Sequence, residues 1–101
     1  MGGAIVDGTC WVLGATGDSC TAACALGGLL YDAKTASYAG NPGQSAHCSW
    51  ILNQLGLTSG QLVFGGPPDV GCWTDGSTPR IGTTSTAQGN YAAGKRACAC
   101  S

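Results

Sequence analysis

Seven cysteines spread from Cys10 to Cys100 constrain this chain more than any other feature of its sequence. They sit in 101 residues whose apolar inventory is thin, with one Phe, one Met, three Trp, three Tyr and much Ala among the 44% hydrophobic residues. The 18 glycines add to the difficulty, because glycine loses more backbone entropy on ordering than any other residue. A core this thin needs cross-links, and a disulfide contributes about 2–4 kcal/mol by restricting the unfolded ensemble. Small secreted domains meet the same shortage in the same way, so the cysteines point to an extracellular or cell-surface protein. The length allows one domain.

Charge narrows the function classes. Lys34, Lys95, Arg80 and Arg96 face five Asp and no Glu, and charged residues make up 9% of the chain. Four scattered cations cannot form the basic stripe that displaces counterions from phosphates, which argues against nucleic acid as a partner. Low charge also weakens self-repulsion, as suits a protein packed against copies of itself or against a matrix. No run approaches the roughly 20 apolar residues of a membrane span, so membrane insertion is not expected. The start, Met-Gly-Gly-Ala-Ile-Val-Asp, lacks the basic and long apolar regions of a signal peptide, and a secreted reading requires such a segment to have been removed. Met1-Gly2 resembles a myristoylation start but has Val6 where a hydroxyl residue belongs. Cys98-Ala99-Cys100-Ser101 fits a prenylation box only formally, without its aliphatic residues.

Along the chain, residues 1–8 read as a flexible leader or, through Ala4, Ile5 and Val6, as a strand offered to a neighbouring subunit. Thr9 to Leu13 form a strand candidate stopped by Gly14. Ser19 supplies an N-cap for a two-turn helix over Cys20 to Leu26 that ends at Gly27-Gly28, with both sulfurs on one face. Leu29 to Tyr31 suggest a short strand, and Lys34 to Gly40 lie between helical turn and loop. Asn41-Pro42-Gly43-Gln44 opens a second helix, whose apolar face runs through Cys48, Ile51, Leu52 and Leu55 to a stop at Gly56. Leu62 to Phe64 make another short strand candidate. Residues 69–89 read as a long Gly, Ser, Thr and Pro-rich connection anchored inward by Cys72 and Trp73. Arg96 to Cys100 alternate as a strand with both sulfurs on one face, and their natural neighbour is the first strand. The expected fold is α+β, a small disulfide-stapled single domain over 9–101. It has two short helices and a small antiparallel sheet that pairs the N- and C-terminal strands.

Cysteine spacing alone leaves the connectivity open. Zinc is the competing use of cysteines, here with His47 beside Cys48. The paired C-x2-C signatures of zinc modules are absent, so no metal and no other cofactor is expected. The string from Cys10-Trp11-Val12-Leu13-Gly14 through Gly17-Asp18-Ser19-Cys20 to Cys24, with the ending Arg96-Ala97-Cys98-Ala99-Cys100, resembles a cysteine-rich module of extracellular proteins in algae, other protists and some bacteria. Its pattern is W-x-L-G-x-x-G-x-S-C-x-x-x-C at the start and R-x-C-x-C at the end. The resemblance implies mainly location and architecture. Relatives of this kind often carry further cysteines where this chain has Leu29-Leu30 and Thr83 to Thr86. Cys72 is therefore expected to be unpaired, with Cys10 as the next choice, and bridges are expected among Cys10, Cys20, Cys24, Cys48, Cys98 and Cys100.

No nucleophile, base and orienting group stand together in the sequence, which argues against an enzyme. His47 reads as a residue of a solvated helix face, and Asp7-Gly8 and Asp75-Gly76 as turns. Trp73, in the Gly and Pro-rich connection, is the aromatic expected to be exposed and to stack on a sugar. The leading reading is a structural or assembly module whose partners are itself or other matrix and surface proteins. The alternative is a lectin-like glycan binder.

Overall fold

The string Val6-Asp7-Gly8-Thr9 determines how the fold begins. Asp7 and Gly8 both have positive φ, 52° and 71°, the pair of left-handed conformations a type I′ hairpin turn requires. The turn joins β1 (Ala4–Val6) to β2 (Thr9–Leu13) in register, with Val6 opposite Thr9 and Ile5 opposite Cys10. Residues 4–6 are thus an integral edge strand, which corrects the expectation of a flexible leader. The structure is a computed structural model and describes residues 3–57 and 60–101, so Met1 and Gly2 of that segment lie outside the described residues.

The helices form where the caps place them. α1 (Cys20–Leu26) starts at Ser19, whose hydroxyl accepts from the Ala22 amide at 3.1 Å, and stops at Gly27. α2 (Lys34–Ser37) is a single turn opened by the Asp32 carboxylate, which accepts from the Lys34 amide at 2.8 Å. Asn41 caps a 3-10 turn at Pro42–Gln44 that leads into α3 (Ser45–Gln54). The Gln44 side chain returns a bond one residue beyond that of a capping box: it accepts from Gly40 N at 2.8 Å rather than from Asn41 N, and donates to Ser37 O.

Residues 69–89 depart most from expectation. They fold as a hairpin of β4 (Val70–Thr74) and β5 (Pro79–Ser85) about an Asp75-Gly76 turn. Pro79 heads its strand, a place where its missing amide is tolerated. β3 (Val63–Phe64) lies parallel to β5, and β6 (Lys95–Cys100) pairs antiparallel with both β2 and β4. The strand order is β1-β2-β6-β4-β5-β3. Among the described residues there are thus three α-helices rather than two, and the sheet is six-stranded and mixed rather than small and antiparallel. Pairing of the first long strand with the last is as expected, with Cys10 opposite Cys100 and Leu13 opposite Ala97.

The alternation of β6 divides the core. Ala97 and Ala99 face Trp11, Ile81, Cys72 and the apolar stripe Cys48, Ile51 and Leu52 of α3. Cys98 and Cys100 face α1, through Cys20, Ala23 and Cys24. Small residues on the first face leave room for the indole of Trp11, which is wholly buried and donates to Val6 O at 3.2 Å.

Candidate functional site

Two of the three disulfides make a ladder between α1 and β6. Cys20 bonds Cys98 and Cys24 bonds Cys100, with Cα atoms 5.4 and 5.5 Å apart. Four residues of helix rise about 6 Å and two residues of strand about 6.6 Å, so C-x3-C on a helix and C-x-C on a strand present sulfurs at matching intervals. The third bridge joins Cys48 of α3 to Cys72 of β4 on the other face. Cys72 is therefore paired, contrary to expectation. It sits in a buried strand beneath α3, just after a bulge between Val70 and Cys72, rather than in a loose connection. Cys10, expected in a bridge, carries the free thiol and is half-buried.

Trp73 is also corrected. The expected sugar-stacking face is 5% exposed. Its indole N–H donates to Gly65 O at 3.0 Å, Tyr91 meets it edge-on at 5.1 Å, and the Arg80 guanidinium lies 5.5 Å from its ring. Gly66 and Gly94 press against the ring so closely that a Cβ at either would collide with it. The exposed indole is Trp50 on α3, 56% open and flanked by Ala46, Ser49 and Asn53 on a shallow surface. His47, one turn earlier, is exposed and stacks on Tyr38 at 3.9 Å, with Nδ1 2.7 Å from Tyr38 O.

Sequence reasoning gave Arg96 no role, yet it organises the 85–89 segment. It is buried and donates from Nε to Val70 O at 2.9 Å, and from its two terminal nitrogens to Thr86 O, Gly89 O and Ser85 Oγ at 2.6–3.0 Å. Burial pushes the guanidinium below its usual pKa, opposed by the nearby Asp69 carboxylate. Asp75 is a second local organiser. Its carboxylate accepts from the Ser77 and Thr78 amides and the Ser77 hydroxyl, which, with Arg80 nearby, hold it well below the usual carboxylate range.

The exposed apolar residues cluster at the sheet's edges and beside α1. Ile5 on β1 and Phe64 on β3 are each 64% exposed, at opposite ends of the strand order. The assembly candidates thus divide: Val6 is buried against Trp11, Ala4 is half-buried, and Ile5 faces outward. Between α1 and β2 lies a half-open apolar cavity of about 250 Å3 whose lining includes Val12, Leu13, Leu26, Leu29 and the Cys24 and Cys100 bridge. Leu26 at its rim and Leu30 nearby in sequence are largely exposed. Among the described residues no group of three or more His, Cys, Asp or Glu could hold a metal ion, and no helix is long and apolar enough to cross a membrane. Comparison with family models found no match, and searches of curated proteins and of solved structures likewise found none.

Proposed function

We propose that this protein is a non-catalytic extracellular or cell-surface module that assembles with copies of itself, edge to edge, into chains or a coat. The observation that carries the reading is the exposure of Ile5 and Phe64 on edge strands at the two ends of one sheet. Edge strands are normally blunted by charge, because unpaired backbone groups invite further pairing. Neither Ala4–Val6 nor Val63–Phe64 contains a charged residue. In a two-residue hairpin the closing pair is hydrogen-bonded and the pairs alternate, so the backbone groups of Ile5 point away from β2. A β1 edge meeting the β3 edge of the next copy makes a heterologous contact, which propagates rather than closes. Disulfide density supports the compartment, and the resemblance of the cysteine pattern to extracellular modules supports both. Other surface proteins with a free sheet edge are partners of the same chemistry.

The test uses two variants. Ile5→Lys and Phe64→Lys should each stay monomeric in light scattering at concentrations where the wild type forms chains. An equimolar mixture should stop at dimers, since each variant keeps the edge the other lacks. A wild type that stays monomeric at high concentration, or single variants that still polymerise, overturns the reading. A lectin-like role is the second reading, and the exposure of Trp50 moves it from Trp73 to α3. It requires glycan-array binding that Trp50→Ala abolishes without unfolding.

A further inference from the structure

We propose that Cys10, Cys24 and Cys100 form a thiol–disulfide exchange set, in which the free Cys10 thiol displaces Cys24 from Cys100 and releases α1 from its second rung. The placement follows from strand register. Cys10 and Cys100 are direct partners on β2 and β6, so their side chains share the face of the sheet that α1 covers. Gly14 N donates to Arg96 O at 2.9 Å in the same ladder, and alternation along it makes Cys10 and Cys100 a hydrogen-bonded pair. Such pairs have Cα atoms about 5.5 Å apart, inside the roughly 4.4–6.8 Å that disulfides span. Cys100 therefore has two cysteines within bonding reach, one on α1 and one on β2.

The exchange balances within the chain. The Cys10 thiol loses its proton, and its thiolate attacks Sγ of Cys100. The Cys24–Cys100 bond breaks as Cys10–Cys100 forms, and Cys24 leaves as a thiolate that takes up a proton. One thiol and one disulfide stand on each side, so no oxidant or reductant is needed. The attacking thiol is half-buried and partly open to solvent, whereas Cys24 and Cys100 are almost fully buried, so Cys10 reaches a bridge that a thiol from outside does not. Cys20–Cys98 already closes the long loop, and either second bridge adds only a short one, so chain entropy does not fix the choice. The freed Cys24 faces the cavity under α1, where its side chain has room to move. After exchange α1 is held by one bridge at its first residue, and its end at Leu26 is free to lift.

Alkylation of the native wild type followed by peptide mapping tests this. Label should divide between Cys10 and Cys24, and the Cys24 share should grow with incubation time. It should grow faster as pH rises toward the usual thiol pKa of about 8.5, because the thiolate is the attacking species. Cys10→Ser should take up no label and keep Cys24–Cys100 intact. Cys24→Ser should form Cys10–Cys100 and take up no label. Label confined to Cys10 in the wild type under all these conditions overturns the proposal, as does a Cys24→Ser protein labelled at both Cys10 and Cys100. If Cys24→Ser does not fold, the wild-type map decides alone. Self-association has no bearing on any of these readings, which hold for a monomer.

Discussion

Arg96 shows how one charged residue can hold a loop through backbone carbonyls and a hydroxyl. Its guanidinium has donors spread across a plane, and it serves acceptors on three backbone carbonyls and one hydroxyl that come from β4, β5 and the segment after β5. Lysine offers a compact ammonium that cannot span such a set, so Arg96→Lys is not a conservative change here. Hydrogen bonds to charged groups are worth about 1.5–3 kcal/mol each, and buried acceptors left unpaired add their desolvation cost. Arg96→Lys should lower stability by about 2–4 kcal/mol on that basis, read as a lower urea midpoint with an unchanged slope. The sequence could not reveal this role, because carbonyl oxygens occur at every residue and only folding selects which four groups converge. Trp73 was misplaced for a related reason. Glycines beside an aromatic suggested an open loop, whereas Gly66 and Gly94 are small so that backbone can lie against the indole.

At the level of elements, what could be read ahead depended on whether a local rule fixed the outcome. The two-turn helix over Cys20–Leu26 was legible from Ser19 and Gly27, and the pairing of β2 with β6 from their alternation. The Asp7-Gly8 hairpin is legible in principle, since Asp-Gly between short β-forming runs is a strong turn signal, but the three residues of β1 are too few to tell a strand of this sheet from a leader. β4 and β5 were hidden by composition. Their Thr and Ser side chains read as loop, yet Thr74 Oγ1 donates to Thr78 O and accepts from Gly76 N, so its polarity is satisfied within the turn. The hairpin at the start makes a measurable demand on glycine. Gly8 holds φ of 71°, where an added Cβ costs about 1–2 kcal/mol against the following carbonyl. Gly8→Ala should destabilise the protein by about 1–2 kcal/mol on that account. Because the loss is local to β1, amide exchange at Val6 and Trp11 should accelerate more than exchange in β4.

For the whole molecule, the bridges compensate for the scarcity of large apolar side chains. Loops of 78 and 24 residues are each worth about 3–4.5 kcal/mol in the chain-entropy account, while a domain of this kind is stable by only about 5–15 kcal/mol. The second rung of the ladder adds less, since its loop is nearly closed already. Full reduction should therefore leave the chain unfolded at room temperature, seen as loss of the near-ultraviolet circular dichroism of its tryptophans. A reduced protein that kept that signal would show that packing alone suffices.

The Cys20–Cys98 bridge also has a mechanical consequence. When tension is applied to the two ends of the chain, the covalent path runs from Cys20 directly to Cys98, and the residues between them carry no load. The 78 positions that separate the two cysteines would add about 270 Å if fully drawn out, and the bridge withholds all of it. A load passed from the segment before Cys20 to the segment after Cys98 crosses the bridge itself, and the body of the domain hangs beside the line of force rather than within it.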